Sequence, residues 1–120
     1  LRNKRVFVTV NILIADKEMD EAMDFVKSLY DIGVDALILQ DIGFAMRIKK
    51  ELKDFELHAS TQMTINNYYG AKFIENLGFS RVVLARETPL YELELIKEKT
   101  NLEIEVLFME PCVYHIQVNV

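Results

Sequence analysis

Short β-branched runs alternate with amphipathic stretches along this chain, and that alternation restricts its fold more than any other feature. Arg5 to Ile14 reads Arg-Val-Phe-Val-Thr-Val-Asn-Ile-Leu-Ile, the makeup of a strand buried on both faces. Met19, Ala22, Met23, Val26, Leu29 and Tyr30 then recur at helical spacing behind Asp16, which is placed to cap the helix, and Gly33 supplies a left-handed stop. Ala36 to Gln40 forms a second apolar strand, with Asp41 placed to cap a helix whose stripe is Ile42, Ala45, Ile48 and Leu52. Glu56 to Gln62 is a third strand. Thr64 or Asn66 opens the next helix, with Tyr69, Phe73, Ile74 and Leu77 inward, and Gly78 ends it. Arg81 to Ala85 is a fourth strand, followed by Thr88 and Pro89 as N-cap and first-turn residue of a helix carrying Leu93 and Ile96. Leu102, Ile104 and Val106 start a fifth strand.

Strand and helix in strict succession, with short connections, predict parallel strands joined by right-handed crossovers. The class is α/β. Ile32 to Leu39 and Leu77 to Leu84 echo each other as repeated βα units would. About five parallel strands and four helices are too few for a closed eight-stranded barrel, which takes about 200 residues or more. The alternatives are a small open sheet and an incomplete (β/α) TIM-type barrel.

With 120 residues, 51% of them hydrophobic, the chain is long enough for one core. Its 14 basic and 19 acidic residues leave a net charge of -5 with no basic block, which disfavours nucleic-acid or anionic-membrane binding by this segment alone. The single cysteine, Cys112, excludes an internal disulfide and a cysteine-rich metal site, so a reducing, cytoplasmic location is expected. No apolar run approaches the length of a membrane span, and no signal peptide is apparent. The first residue is not Met, and a natural start upstream or an unusual start codon is expected.

Polar residues gather at the carboxyl ends of the predicted strands, the edge that carries sites in open α/β sheets and barrels alike. They are Asn11, Asp41, His58, Ser60, Gln62, Arg86 and Glu87. Each also has a structural reading: Asp41 as a helix cap, Asn11 as a turn residue, Arg86 with Glu87 as a surface ion pair. In Leu57-His58-Ala59-Ser60-Thr61-Gln62, strand alternation points His58, Ser60 and Gln62 to one side, implying a polar interior, a ligand or a satisfied buried network. No nucleophile elbow, glycine-rich phosphate loop, HExxH helix or cysteine pair is present.

These residues carry a resemblance. His58-Ala59-Ser60-Thr61-Gln62, Asn66-Asn67, Gly70-Ala71-Lys72-Phe73, Leu77-Gly78-Phe79 and Arg81-Val82-Val83-Leu84-Ala85-Arg86-Glu87 resemble peptidase family U-thirty-two. Its members are collagenase-like peptidases of unassigned catalytic type, and it also includes proteins of tRNA and rRNA hydroxylation and of ubiquinone synthesis. Val8-Thr9-Val10-Asn11 and Ile32-Gly33-Val34-Asp35-Ala36 fit the same pattern, so the match runs from about Val6 to Val106. The resemblance implies a piece of a larger barrel enzyme, cut at both ends and inactive alone. The parent would be a peptidase; an RNA-hydroxylation or cofactor-biosynthesis protein is the alternative, and a non-catalytic self-associating remnant a third reading. His58 and Glu87 are the candidate catalytic residues. Asn11, Asp41, Ser60, Gln62 and Arg86 are the candidate substrate-binding residues, and no metal ligand is assigned.

The resemblance divides the chain into a partial barrel, residues 1–106, and a tail, residues 107–120. Where the family continues with a segment like Phe-Val-His-Gly-Ala-Leu-Cys, this chain reads Leu107-Phe108-Met109-Glu110-Pro111-Cys112-Val113 and ends at Val120. A coding sequence for the family segment that loses one T is read as Leu107 to Val120 and then stops, which identifies the tail as frame-shifted. Cys112 and His115 are on that reading no family residues. Cysteines that hold an iron-sulfur cluster in some relatives would lie downstream, so no cofactor is expected in this chain, and a cluster or metal is left to the intact parent. A homo-oligomer is expected, joined through the open sheet edge at Leu102 to Met109, the inner face near His58, or both.

Overall fold

A computed structural model of the chain describes residues 4–106. Five strands, β1 (Phe7–Val10), β2 (Ala36–Leu39), β3 (Glu56–Ala59), β4 (Phe79–Leu84) and β5 (Glu103–Val106), alternate with α1 (Met19–Asp31), α2 (Ile42–Glu51), α3 (Tyr68–Leu77) and α4 (Leu90–Lys99). The sheet order is β1-β2-β3-β4-β5 and every pairing is parallel. Sequential order with right-handed crossovers puts all four helices on one face, the arrangement of an arc taken from a (β/α) barrel. The other face is the one that lines a barrel's interior.

Alternation divides the strand residues accordingly. Val8, Val10, Leu37, Leu39, Leu57, Ala59, Phe79, Val82, Leu84 and Leu102 join Met23, Val26, Phe44, Ala45, Ile48, Ala71, Ile74 and Ile96 from the helices in one buried core. Phe7, Thr9, Ile38, Glu56, His58, Arg81 and Glu103 occupy the inner face. β3 and β4 are out of step by one residue: Leu57 pairs with Phe79, but His58 pairs with Arg81. This bulge at Ser80 has a large effect. Without it Arg81 would share the parity of Phe79 and point into the helix-covered core; with it, the guanidinium turns inward.

The predicted elements all form, but several of their limits and inward faces differ from expectation. β1 stops at Val10, because the run to Ile14 has no further strand to pair with, and β3 stops at Ala59 rather than Gln62. Asp16 opens a 3₁₀ turn, Asp16–Glu18, and caps nothing. α2 buries Phe44 with Ala45 and Ile48, leaving Ile42 exposed. α3 buries Ala71 and Ile74, whereas Tyr69 and Phe73 are 84% and 52% exposed. The helix opens one residue later than expected: Asn67, not Thr64 or Asn66, accepts a hydrogen bond from Gly70 N at 2.8 Å. Before α4, Pro89 holds the N-cap position and the Thr88 hydroxyl donates to Ala85 O instead. Gly33 and Gly78 do end α1 and α3 at φ of 92° and 107°, where a side chain would be strained. The expected tail from Leu107 onward, with Cys112 and His115, lies outside the described residues.

Candidate functional site

At the carboxyl edge of the sheet, the structure gathers most of the residues that strand order predicts there. Asn11 follows β1 directly and is half-buried. Asp41 follows β2 by two residues and caps α2: Oδ1 accepts from Phe44 N and Oδ2 from Ile14 N, each at 2.9 Å. Both oxygens thus hold backbone, which joins the β1 loop to the start of α2. Ser60 is buried just past β3, and its hydroxyl accepts from Gln62 N at 3.2 Å. Gln62 does not share the face of His58. It lies exposed in a 3₁₀ turn, Thr61–Met63, because the chain leaves extended geometry after Ser60 and strand alternation ends there. Arg86 and Glu87 are exposed in the turn after β4.

His58 sits deeper, one residue before the end of β3 and level with Ile38, Arg81 and, through them, Thr9 and Glu103. It is 1% exposed, and its neighbours lie level with it or toward the amino ends of the strands. Nε2 is 2.5 Å from Glu56 Oε2, two residues back on the same face. The ring stands edge-on to Phe7 at 4.8 Å. The Arg5 and Arg81 guanidinium groups lie over that same Phe7 ring at 5.0 and 5.6 Å. Arg5 donates to Glu56 at 2.8 Å and Arg81 to Glu103 at 2.6 Å, so a row of alternating charge crosses the inner face.

Burial is the largest influence on His58 and pushes its pKa below the ordinary value; the Glu56 contact opposes this, while Arg81 and Arg5 reinforce it. The imidazole is therefore neutral near pH 7. Partial burial pushes the Glu56 carboxyl up, but hydrogen bonds from His58 and Arg5 outweigh it and hold the group below the usual carboxylate range. Among the described residues, His58 and Ser60 bond other partners and form no nucleophile-base pair. No three His, Cys, Asp or Glu side chains among the described residues come together as a metal site. No helix among them is long and apolar enough to cross a membrane.

Glu56, Arg5, Phe7, Arg81 and Glu103 were missed as companions of His58. Same-face spacing, Arg5 with Phe7 and Glu56 with His58, was available as a signal. Arg81 had none, since its direction depends on the bulge.

The sequence model of peptidase family U32 matches residues 1–116. The chain is 41% identical over 101 residues to the 23S rRNA 5-hydroxycytidine C2501 synthase of Escherichia coli, covering 84% of this chain and 15% of that protein. It is 36% identical to tRNA hydroxylation protein P1 of Bacillus subtilis, covering 84% and 24%. An uncharacterized protease of Methanocaldococcus jannaschii is 34% identical over 111 residues, covering 86% and 26%. The chain thus spans about a quarter or less of the length of these relatives. No solved structure matches.

Proposed function

The chain belongs to peptidase family U32, and on that footing we propose that it forms part of the barrel of an RNA-hydroxylation protein. The observation that carries this reading is the identity of the relatives: the rRNA 5-hydroxycytidine synthase and a tRNA hydroxylation protein match at 41% and 36%. Peptide-bond hydrolysis is the second reading, favoured by the match to an uncharacterized protease at 34%. It is less well supported, because the Ser60 hydroxyl faces its own turn and the His58 ring faces Glu56. For either chemistry the carboxyl edge is where substrate would be met, with Arg86 and Gln62 offering polar contacts and Glu87 a carboxylate. His58 would support the floor of that site as a neutral, firmly held imidazole.

With a net charge of -5, this segment supplies little of the electrostatic attraction that RNA binding needs. That attraction would come from other parts of a full-length protein, acting in the cytoplasm where ribosomal and transfer RNA are made. The test is a chimera in which residues 6–106 replace the matching segment of the Escherichia coli synthase, in a strain lacking the native enzyme. Nucleoside mass spectrometry of 23S rRNA should show 5-hydroxycytidine restored, and an Arg86→Ala or Glu87→Ala change should reduce it. A folded chimera that leaves the rRNA unmodified, yet cleaves gelatin in a His58-dependent way, would reverse the order of the two readings.

A further inference from the structure

His58 lies on β3, the central strand of the five, so strands flank it on both sides and its neighbours along the inner face are residues of this chain. Its imidazole is neutral near pH 7 and 1% exposed. A neutral imidazole has one N–H and one bare nitrogen, and the hydrogen bond made by the first decides which is which. Here Nε2 stands 2.5 Å from Glu56 Oε2. The Glu56 carboxyl is ionised at that pH and can only accept, so the proton belongs on Nε2 and the bare nitrogen is Nδ1. Glu56 is two residues toward the amino end of β3, and the two nitrogens lie on opposite edges of the ring. Nδ1 therefore faces the other way, toward the level of Ser60 and the carboxyl edge. Among the described residues it meets no hydrogen-bond partner, yet none of their buried side-chain nitrogens is left unpaired. It is thus open to the inner face of the sheet.

We propose that Glu56 is a positioning residue: it fixes His58 as the Nε2–H tautomer, so that Nδ1 accepts a hydrogen bond from an uncharged N–H or O–H donor of a substrate nucleoside. The nature of the substrate rests on the RNA-hydroxylation reading; the tautomer does not. Arg5 and Arg81 are engaged by Glu56 and Glu103 at 2.8 and 2.6 Å, so this level of the inner face suits a neutral polar group rather than a phosphate. The residues that follow the strands toward the carboxyl edge, Asn11, Gln40 and Ser60, are two half-buried amides and a buried hydroxyl, chemistry suited to the rest of such a ligand.

The tautomer is read from long-range proton–nitrogen NMR of the isotope-labelled 120-residue chain at pH 7. Nε2, which couples strongly to both ring protons, should carry the N–H shift, and Nδ1 that of a bare nitrogen. Glu56→Ala should turn this single form into a mixture of tautomers, and Arg5→Gln, which spares the carboxylate, should leave it unchanged. An Nδ1–H or doubly protonated ring in the unmutated chain would overturn the proposal, as would a single Nε2–H form that survives Glu56→Ala. The acceptor role is read in the chimera with the Escherichia coli synthase, from the initial rate of 5-hydroxycytidine formation after induction. Asparagine places its side-chain oxygen where Nδ1 stands, whereas glutamine reaches the Nε2 position. His58→Asn should therefore stay within about threefold of the unmutated chimera and His58→Gln fall about fivefold to tenfold, the loss of one hydrogen bond. Equal loss in the two folded variants would refute the acceptor role. An unmutated chimera that leaves the rRNA unmodified would count against RNA hydroxylation itself, and the tautomer result would still decide the role of Glu56.

Discussion

Replacing Asp41 tests whether this carboxylate at the site edge is architecture. Its two oxygens accept from two backbone amides, Phe44 N and Ile14 N, each at 2.9 Å. The first bond is a helix N-cap, whose loss costs about 1 kcal/mol. The second is a charge-assisted bond worth about 1.5–3 kcal/mol when fully buried. The 11–15 loop is partly exposed, so water replaces some of that bond and about 1 kcal/mol is the better figure for its loss. Asp41→Ala should therefore destabilise by about 2 kcal/mol. Asp41→Asn keeps the cap oxygen but sets an amide against Ile14 N–H, and should cost about 1 kcal/mol. At about 4 °C per kcal/mol for a chain of this size, the melting temperature falls by about 8 °C and 4 °C. Urea unfolding followed by circular dichroism, with the slope unchanged, is the assay. A cost below about 0.5 kcal/mol for Asp41→Ala, or equal costs for the two variants, would refute the double-tether reasoning.

Stability should depend on His58 on the acid side of neutrality. Its folded pKa lies below the unfolded value of about 6.5, so its contribution is complete above that pH and falls as pH drops below it, because the unfolded chain then binds the extra proton. His58→Gln should flatten denaturation midpoints measured across that window, and an unchanged profile would count against the burial argument. Glu56 opposes the depression, so Glu56→Gln should lower the His58 pKa further in an NMR titration; a rise would show that the 2.5 Å contact is not felt. The isolated 120-residue chain should not cleave gelatin with or without added metal ions, and turnover abolished by His58→Ala would contradict this. The free edges of β1 and β5 within the described sheet lead us to expect a homodimer or larger oligomer in light scattering at micromolar concentration; a compact 14 kDa monomer would end that expectation.

Local chemistry alone determined the order of the elements, their parallel pairing and the edge where Asn11, Asp41, Ser60, Arg86 and Glu87 gather. Each rests on short-range signals: β-branched runs, helical spacing, Gly33 and Gly78 at left-handed positions, and the handedness of βα crossovers. The sequence also showed the family, through His58 to Gln62 and Arg81 to Glu87. Rotation and register were decided elsewhere. Tyr69 and Phe73 read as core residues by periodicity, but α3 packs with Ala71 and Ile74 against the core and leaves both aromatic rings exposed. Gln62 belongs to the face of His58 only while the strand lasts, and after Ser60 the chain turns into the 3₁₀ turn Thr61–Met63. The inner-face cluster depended on tertiary structure most of all. Arg81 meets Phe7 and Glu103 because a single extra residue at Ser80 reverses the facing of β4, and a bulge is set by how two strands fit each other, which neither strand encodes alone.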